Sequence, residues 1–445
     1  MDPTEQPSFW LRAYGPYDPA AQLQGDLSVD VAIIGGGYTG LSTAYNLRSD
    51  SPALRVAVLE ASVVGFGASG RNGGFNMTLF GLEPAVTKAL FGQQRTVEAH
   101  RYMERAVDYV RDLVARHSLQ SDYEHPGFLR VATTPGFVRR IQHDLEILTQ
   151  MGITGLEWWD AGRLQSAVRS PVALGAWWEP RCGLLNPAKQ ARELKRLAIQ
   201  AGADVFEHTP VLAVERGPRF ILRTPSGTLS AAHVVFATNA YSHLFPELRT
   251  RETAAFTHMV VTEPLTPAQQ EAIGWAGRQG IEDARNFVHY LRLTADQRIA
   301  IGGSDVSLTF GRGMEHDLNP RVFADLERDL VRLFPALRGI RFADRWGGPV
   351  SVPVDMAPAI GFLGDRRAIY SLGCVGHGVS MAHLNGRTIA DLILDRQTDL
   401  TRVWFVGRRM IPWPPEPIRF AAAQAIRGYM RAEDWAYERK LPQNG

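Results

Sequence analysis

The feature that most constrains the fold is a glycine turn between an apolar run and a helical pattern, near the start of the chain. Residues 31–34 are uninterrupted apolar residues, and Gly35, Gly37 and Gly40 follow them with the spacing GxGxxG. Residues 41–47 then continue as a helical pattern. In such a turn the first glycine permits the sharp bend, the second lets a pyrophosphate approach the backbone, and the third allows close helix packing. This order predicts a βαβ unit that binds a dinucleotide.

The second predicted strand of that unit supplies an acid at the expected place. Residues 55–59 form this strand, and Glu60 follows it, twenty residues after Gly40. A carboxylate there accepts hydrogen bonds from the hydroxyls of a ribose, and it repels a 2′-phosphate. The helix N-terminus at Tyr38 and Thr39 adds unpaired N–H groups and a positive dipole end, worth roughly 0.3–1 kcal/mol for a nearby anion. The alternative is an ordinary glycine-rich connection, which the GxGxxG spacing alone would not exclude.

Composition places the chain among ordinary globular proteins. Its 445 residues, 45% apolar and 21% charged, predict roughly two to three domains. The formal net charge of +2 is small, which gives no support for a nucleic acid or an anionic membrane surface as partner. Cys182 and Cys374 are the two cysteines, too few for a disulfide scaffold and without metal-ligand spacing. Residues 1–7 lack signal-peptide regions, and no run approaches the ~20 apolar residues of a membrane span, so we expect a cytoplasmic protein.

Two further glycine-rich segments indicate backbone close to a ligand. Four glycines fall between Gly67 and Gly74, a density that costs roughly 0.5–1 kcal/mol per glycine in regular structure. Near the C-terminus, a predicted strand at 368–372 runs into a glycine turn, Gly373 to Gly378, that opens a helix. The pattern of the N-terminus thus returns, and we expect both ends to meet in one nucleotide-binding domain. The alternatives are a flexible surface loop and a turn that only packing requires.

The rest of the chain alternates helical and strand patterns, without repeats or a low-complexity linker. Apolar residues recur every three to four positions in residues 93–117 and near 138–151, which predicts two helices. N-caps predict two more helices, one that begins at Asn186-Pro187 and one that begins after Asn319. Predicted strands lie at residues 127–133, 211–216, 220–224, 228–230, 233–238, 256–262, 286–293 and 298–303.

Candidate substrate-contacting side chains lie in the second group of predicted strands. Strand alternation places Tyr290 and Arg292 on one face and His289 on the other, and His258 lies on a neighbouring strand. A histidine on a strand is more often structural than catalytic. The twelve histidines show no HExxH spacing, and we therefore predict no metal site.

With these motifs taken together, the sequence is identified as a member of the D-amino-acid-oxidase-type flavoprotein superfamily. Nearly its whole length resembles the amine-oxidising branch that includes gamma-glutamylputrescine, sarcosine and glycine oxidases. The matching motifs, in chain order, are residues 34–42, residues 67–74, Trp346-Gly347-Gly348 with Asp355 and Pro358, and residues 373–378. Their order is specific for the superfamily, but it does not specify the substrate.

The resemblance implies an α/β (α+β) fold, with a Rossmann-like FAD-binding domain and an inserted antiparallel β-sheet that forms the substrate domain. The FAD-binding domain would comprise residues 1–90, 171–250 and 346–400, the substrate domain residues 91–170 and 251–345, and a C-terminal extension residues 401–445. Each domain would thus be assembled from separate segments of the chain.

The resemblance also implies residue roles in an FAD site. Around the pyrophosphate, ribose and adenine these are Gly35, Gly37, Tyr38, Thr39, Gly40, Glu60 and, through its backbone, Val211. Along the isoalloxazine and near its pyrimidine carbonyl these are Ser69, Arg71, Asn72, Gly73, Gly376, His377, Gly378 and Val379. Monomeric sarcosine oxidases carry a flavin-linking cysteine in the region that corresponds to residues 346–355, which contains none here. We therefore expect non-covalent FAD.

These roles imply an FAD-dependent amine or amino-acid oxidase that converts a C–N bond to an imine by hydride transfer, with oxygen as the expected acceptor. Candidate catalytic residues are Tyr290, Arg292, His258 and Arg71, on the flavin face that the inserted sheet covers. Because the guanidinium fork matches anions bidentately, we expect an amine substrate with a carboxylate or phosphonate, unless Arg292 instead pairs with a surface acid.

Three alternatives remain open: an amino-acid dehydrogenase that passes electrons to a quinone, an enzyme for an unusual amine in a biosynthetic pathway, and a non-catalytic flavin-binding subunit of a larger complex. We expect a monomer or small homo-oligomer with no nucleic-acid partner and no integral membrane contact.

Overall fold

The computed structural model describes residues 7–314 and 316–438. Residues 1–6, on which the prediction about a signal peptide rests, lie outside this range, as does the end of the predicted C-terminal extension. The helices are α1 Phe9–Tyr14, α2 Tyr38–Asp50, α3 Pro84–Phe91, α4 Gln93–His117, α5 Pro135–Gln150, α6 Ala161–Ala167, α7 Pro187–Gln200, α8 Pro267–Ile273, α9 Pro320–Leu333, α10 Gly378–Ile393 and α11 Ile418–Glu438. The strands are β1 Leu27–Ile34, β2 Val56–Leu59, β3 Phe75–Asn76, β4 Phe128–Ala132, β5 Glu157–Asp160, β6 Gly175–Glu179, β7 Gly183–Leu184, β8 Asp204–Phe206, β9 Ala213–Glu215, β10 Phe220–Thr224, β11 Gly227–Phe236, β12 Thr253–Thr262, β13 Gly280–Asp283, β14 His289–Leu293, β15 Ile299–Leu308, β16 Phe342–Val352, β17 Ala359–Leu363 and β18 Asp365–Leu372.

The first sheet contains the parallel βαβ unit that the glycine turn predicts. Its strands run in the order β17-β18-β11-β1-β2-β8, and those from β18 to β8 are parallel to one another. Val31 and Ile33 of β1 pack into a core on one face, while Ala32 and Ile34 pack into a core on the other. Burial of β1 on both faces explains its uninterrupted apolar run.

The N-terminal and C-terminal strand–glycine–helix patterns meet in this sheet. β18 lies beside β11, which separates it from β1, and the three strands are parallel. The helices that follow them, α2 and α10, contact each other, since the Ser42 hydroxyl donates to the carbonyl oxygen of His383 at 2.6 Å. Both helices therefore begin at the carboxyl edge of the sheet, where open α/β sheets bind ligands.

The second sheet is inserted between the segments of the first. Its order is β16-β12-β15-β14-β13-β4-β6-β5. One face packs on α9, where Leu291 and Ile301 of the sheet join Leu326 and Leu330 of the helix in one core. The opposite face carries Tyr290, which packs beside Phe75 of the first domain's loop.

The sheets confirm the predicted fold class but differ from the predicted details of the second sheet. All its pairings are antiparallel except β4 with β13, which are parallel. These two strands come from separate insertions and are not joined by a hairpin, so nothing requires an antiparallel pairing. β6 belongs to this sheet although residues 171–250 were predicted for the other domain. β16 likewise extends past the predicted boundary at residue 346, because β12 pairs with it as far as Val352.

Several predicted elements also have different bounds. The helix at 93–117 and the two helices that follow Asn186 and Asn319 are confirmed. The strands predicted at 228–230 and 233–238 are one continuous strand, β11, because β1 pairs along its length. β13 and α11 were not predicted. In the described part of the chain, no helix combines the length and apolar composition needed to cross a membrane.

Candidate active site

The first glycine turn is as tight as its spacing predicts. Gly35 has a φ of 109°, and a Cβ there would come within 2.6 Å of the carbonyl oxygen of Ala237. A Cβ on Gly40 would collide with the carbonyl oxygen of Gly35. Gly37, the N-cap of α2, gives the helix no side-chain hydrogen bond. The N–H groups of Thr39 and Gly40 consequently have no side-chain cap within the described chain and are available to an anion.

Glu60 fixes this turn from the end of β2. Its Oε2 accepts a hydrogen bond from the Gly36 N–H at 2.7 Å, and its Oε1 accepts one from the Ser62 N–H at 2.9 Å. Partial burial raises the pKa of the Glu60 carboxyl, and the two backbone hydrogen bonds act in the opposite direction. Each carboxylate oxygen has a further lone pair, so Glu60 can hold the turn and still accept hydrogen bonds from a ribose.

The segment that leads to Val211 runs alongside Glu60. The His208 N–H donates to the carbonyl oxygen of Ser62 at 2.7 Å, and the Thr209 N–H donates to that of Glu60 at 2.8 Å. Val211 follows these two residues immediately before β9, partly buried against the first domain's core. The backbone contact of Val211 with adenine stays a prediction.

The loop at residues 67–74 is held by its own side chains. The Ser69 hydroxyl oxygen accepts a hydrogen bond from the Tyr38 N–H at 3.0 Å, which ties the loop to the start of α2. Asn72 accepts one from the Gly74 N–H at 2.7 Å and donates to the carbonyl oxygen of Ala68 at 3.0 Å. The loop is thus an ordered part of the site.

Arg71, a residue of this loop, is buried and joins the loop to two other segments. Its Nε donates to the carbonyl oxygen of Phe66 at 2.8 Å, and its Nη1 lies 2.8 Å from the Asp317 carboxylate. The Trp346 indole N–H donates to the Arg71 carbonyl oxygen at 2.8 Å. Arg71 therefore connects the loop with the Trp346 motif and with the segment before α9.

The last two glycines of the loop contact the second sheet. A Cβ on Gly73 would come within 2.9 Å of Cε2 of Tyr290, and a Cβ on Gly74 within 2.6 Å of Nη1 of Arg292. The side chains of Tyr290 and Arg292, both on β14, therefore face the loop, as strand alternation predicts. Burial raises the pKa of the Tyr290 hydroxyl to about 12, so this phenol is neutral at physiological pH.

The second glycine turn immediately precedes helix α10, just as the first glycine turn precedes α2. Gly376 has a φ of 85°, and the His377 N–H donates to the carbonyl oxygen of Cys374 at 2.8 Å. α10 begins at Gly378, and its N-cap His377 provides no side-chain cap. Burial lowers the pKa of the His377 imidazole to about 4, and its buried Nδ1 has no hydrogen-bond partner in the described chain. A neutral imidazole with one free nitrogen thus stands at the helix N-terminus, next to Val379.

A cavity of about 300 Å³ lies between these turns and the second sheet. The loop side is lined by Arg71, Asn72, Gly73, Gly348, Gly376, His377 and Val379. The sheet side is lined by Thr253, Ala255, Thr257, Glu282, Tyr290 and Ser304. The C-terminal helix α11 covers one end with Ala423, Ile426, Arg427 and Met430. Three of the sequence motifs therefore meet at one cavity, and the first glycine turn lies next to it through the Tyr38–Ser69 hydrogen bond.

Sequence reasoning missed the acidic residues of this cavity. Glu282 lies on β13 between Arg130 of β4 and Tyr290 of β14, its neighbours across the sheet. Burial raises the pKa of the Glu282 carboxyl to about 8, although Arg130 acts in the opposite direction. Glu83 forms an ion pair with Arg130. β13 has only four residues and no alternating pattern, so the sequence did not predict this strand. The one feature that could have indicated Glu282 is its position on the strand next to that of Tyr290.

Two predicted catalytic residues lie outside the cavity lining. His258 is buried on β12, where its Nε2 is 3.2 Å from the carbonyl oxygen of His316. Arg292 is buried beside the loop, and its Nη1 donates to the carbonyl oxygen of Leu185 at 2.5 Å. Among the described residues, Arg292 does not line the cavity and forms no ion pair with a surface acid. The structure brings Arg71 and Tyr290 to the cavity, but not these two.

A second, polar cleft of about 500 Å³ adjoins the cavity. Arg285, Phe287, Ser304 and Arg427 line both spaces. The cleft also contains a buried charge cluster, in which His289 contacts Asp283 at 2.9 Å and Asp329 at 3.1 Å. The charge partners on β13, β14 and α9 hold the sheet to the helix and lie away from the glycine motifs.

The residues of the cavity and the turns fit an FAD. The cradle at Gly35–Gly40 excludes a Cβ at two positions and leaves N–H groups for a pyrophosphate, Glu60 is placed for a ribose, and the unpartnered Nδ1 of His377 is placed for a polar ring atom. Both cysteines are free thiols. Cys182 is buried, and burial raises the pKa of the Cys374 thiol to about 12.

Comparisons with known proteins agree with this geometry. The family model described as "DAO: FAD dependent oxidoreductase" matches residues 30–392. The chain is 31% identical to gamma-glutamylputrescine oxidoreductase of Escherichia coli (strain K12), over 92% of this chain and 95% of that protein. It is 25% identical to a glycine oxidase of Bacillus licheniformis, over 82% of this chain and 93% of that protein. The solved glycine oxidase of Geobacillus kaustophilus has the same fold, with a TM-score of 0.73 at 19% identity, and the match covers 86% of this chain and 100% of that one.

Proposed function

The chain belongs to the DAO family of FAD-dependent oxidoreductases, and from this premise we propose that it oxidises a C–N bond of a small amine or amino acid to an imine, with non-covalent FAD and with oxygen as final acceptor. The observation that carries the proposal is the cavity of about 300 Å³ between the loops of two glycine motifs and the Tyr290 face of the second sheet. Such a cavity would hold a small molecule between a flavin-binding wall and a separate recognition wall.

The chain's own residues would perform binding, orientation and exclusion of water. The start of α2 and Glu60 would hold the pyrophosphate and ribose, and Asn72 and His377 would contact the ring system. When bound, FAD supplies the acceptor for a hydride from the substrate's α-carbon. The sheet face with Tyr290, closed at one end by α11, would orient that carbon and keep water away, which is the larger part of what such a reaction needs from the protein.

The names of the relatives support an amine substrate, since they include a gamma-glutamylputrescine oxidoreductase and a glycine oxidase. An anionic group on the substrate stays a finer proposal. Arg292 lies outside the lining, so the residues that would contact such a group are Arg285 and Arg427, which line both the cavity and the polar cleft. A substrate that spans the two spaces would place its amine near the glycine motifs and its anion near these arginines.

Non-covalent binding of FAD is supported by the cysteines. A cysteinyl flavin linkage requires a thiolate nucleophile next to the ring. Burial raises the pKa of the Cys374 thiol to about 12, which disfavours its thiolate, and Cys182 is buried among Phe75 and Phe128. Purified protein should therefore be yellow, and acid precipitation should leave FAD in the supernatant. Flavin that stays in the precipitated chain would contradict the proposal.

The alternative functions differ in what reoxidises the flavin and in whether the chain acts alone. We propose a cytoplasmic oxidase that is a monomer or small homo-oligomer. Peroxide formation by the purified chain with a panel of primary and secondary amines would support it. Turnover that requires an added quinone would favour the dehydrogenase alternative. Absence of turnover with every amine and acceptor, combined with a heteromeric state in size-exclusion chromatography of the native complex, would favour the flavin-binding subunit.

A further inference from the structure

Glu282 is a cavity carboxyl for which the proposed function has so far given no role. Only 4% of its surface is exposed, and it lines the cavity from β13. Arg130, Glu282 and Tyr290 form a row across three neighbouring strands, and all three line the cavity. Among the described residues, no hydrogen bond or ion pair occupies the carboxylate oxygens of Glu282.

The other charged side chains of the cavity wall already have partners. The four arginines pair with acids, in the ion pairs Arg71–Asp317, Arg130–Glu83, Arg285–Asp329 and Arg427–Asp305. Glu83 is the partner of Arg130, and the two arginines at positions 130 and 140 lower the pKa of its carboxyl against the effect of burial. In the described part of the chain, Glu282 is thus the wall's one carboxyl without an ion pair of its own, since the nearby Arg130 lowers its pKa but is paired with Glu83. A cation in the cavity would supply a counterion for its carboxylate form.

We propose that the Glu282 carboxylate binds the ammonium group of the substrate and takes one proton from its nitrogen. In this step an N–H bond breaks and an O–H bond forms on the carboxyl group, while the electron pair stays on nitrogen. The products are a neutral amine and a neutral Glu282, and no oxidant or reductant takes part. The proposal rests on the proposed function, because oxidation at the α-carbon requires the neutral amine.

The acidity of Glu282 suits this proton transfer. Its raised pKa of about 8 approaches that of alkylammonium groups, which resemble lysine near about 10.4. The groups that face Glu282 are Arg130 and Glu83 from one side and Tyr290 from the other, with Asp283 next to it in the chain. Of these, Tyr290 titrates well above physiological pH and the Arg130–Glu83 pair stays charged. Behind this pair, burial and, as the smaller cause, the nearby Glu83 raise the pKa of the Asp144 carboxyl to about 7. Among the groups that line the cavity, Glu282 is therefore the one that changes charge between neutral and mildly alkaline pH.

The inference narrows the substrate class to amines that enter the cavity as cations.

The test uses tetramethylammonium, whose fixed charge does not titrate, and the neutral tert-butanol as a control ligand. Their dissociation constants are measured on the purified flavoprotein by calorimetry across a pH series. For tetramethylammonium, the dissociation constant of the wild-type protein should fall by about tenfold to thirtyfold between about pH 6.5 and about pH 9, as Glu282 ionises. Binding of tert-butanol should not depend on pH.

Variants assign the effect to the carboxyl. Glu282→Gln should bind tetramethylammonium weakly and without pH dependence, and Glu282→Asp should restore the pH dependence. Glu157→Gln, which changes an exposed carboxyl on β5 of the same sheet, should behave as wild type. The visible flavin spectrum and thermal melting show whether each variant is folded, and the wild-type profile tests the proposal even if Glu282→Gln does not fold.

The proposal is overturned if tetramethylammonium does not bind, if its binding to the wild-type protein is independent of pH, or if Glu282→Gln keeps the wild-type profile. Because binding of this probe requires no turnover, its result is separate from that for the proposed function. pH-dependent binding in a protein that oxidises no amine would keep the role of Glu282 in binding cations and remove the amine-oxidising function. Amine oxidation combined with pH-independent binding of tetramethylammonium would keep the amine-oxidising function and remove the role of Glu282.

Discussion

Gly73 lies directly against Tyr290, so that a Cβ at position 73 would come within 2.9 Å of Cε2 of the tyrosine ring. The contact joins the loop of the first domain to the face of the second sheet. The same Cβ would also come within 3.1 Å of the Phe75 ring. The separation of the two cavity walls therefore depends on the absence of a side chain at one position.

Gly73→Ala should displace the loop from the sheet. Overpacking of this kind typically costs about 1–3 kcal/mol, and we expect a lower melting temperature and at least a tenfold loss of FAD affinity. Reconstitution of the apoprotein with FAD and thermal melting measure both. Gly162→Ala, in helix α6 where a Cβ meets only an ordinary contact at 3.5 Å, is the matched control and should leave the FAD affinity unchanged without lowering the melting temperature. Wild-type FAD affinity in Gly73→Ala would show that the wall spacing is not set here.

Glu60→Ala should weaken FAD retention in two ways. It removes the proposed hydrogen bonds to the ribose and also the two that hold the Gly36 and Ser62 N–H groups. Loss of charge-assisted hydrogen bonds predicts a decrease of about 1.5–3 kcal/mol, or roughly tenfold to a hundredfold in affinity. Glu60→Gln keeps one acceptor oxygen and should lose less. Titration of the apoprotein with FAD is the measurement, and an unchanged dissociation constant for Glu60→Ala would remove Glu60 from the site.

Local sequence signals predicted the first domain well. The GxGxxG turn, the acid after the second strand and the second glycine turn each follow from backbone requirements that only certain residues meet. The N-caps Asn186 and Asn319 fixed the starts of α7 and α9 for the same reason, because their side chains accept hydrogen bonds from the first helical turn. Such features depend on a few neighbouring residues and can be recognised without the tertiary structure.

The substrate side could not be predicted in this way. The neighbours of Glu282 lie on β4 and β14, more than a hundred residues apart in sequence, and its burial depends on how these strands assemble. Arg292 faces the loop as alternation predicts, yet its guanidinium contacts Leu185 and lies against Gly74, and it does not line the cavity. α11 follows a proline-rich segment and covers the cavity from outside both sheets, so its role depends on tertiary packing alone.

His289 should stabilise the fold most at low pH. The nearby Asp283 carboxylate raises the pKa of this buried histidine against the effect of burial, and Asp329 contributes from α9. Because the pKa in the folded state lies above the unfolded value of about 6.5, the stabilisation is full below about pH 6.5 and is lost as pH rises through the folded pKa. His289→Gln should therefore lower the melting temperature most near about pH 6 and less at alkaline pH.

Thermal melting across a pH series measures this effect. His143→Gln, which changes an exposed histidine on α5, is the control and should show no such trend. A difference between wild type and His289→Gln that is constant with pH would mean that His289 is neutral in the folded protein.

Arg292→Met should affect stability more than catalysis. The substitution removes the donor to the carbonyl oxygen of Leu185, and a buried acceptor without a partner costs about 1–3 kcal/mol. We expect a lower melting temperature and a kcat/KM within about twofold of wild type for the best amine substrate. The opposite result, an unchanged melting temperature with at least a tenfold loss of kcat/KM, would place Arg292 in contact with the substrate.

The central claim, that this chain oxidises an amine at the cavity between the glycine motifs and the second sheet, is tested most directly by anaerobic reduction of its flavin. The purified yellow protein is mixed without oxygen with individual small primary and secondary amines, and the absorbance band of the oxidised flavin is recorded. The account predicts that at least one amine bleaches the band at a saturable rate, with colour restored by air or another electron acceptor. A flavin that every amine leaves oxidised, although dithionite reduces it, would contradict the account.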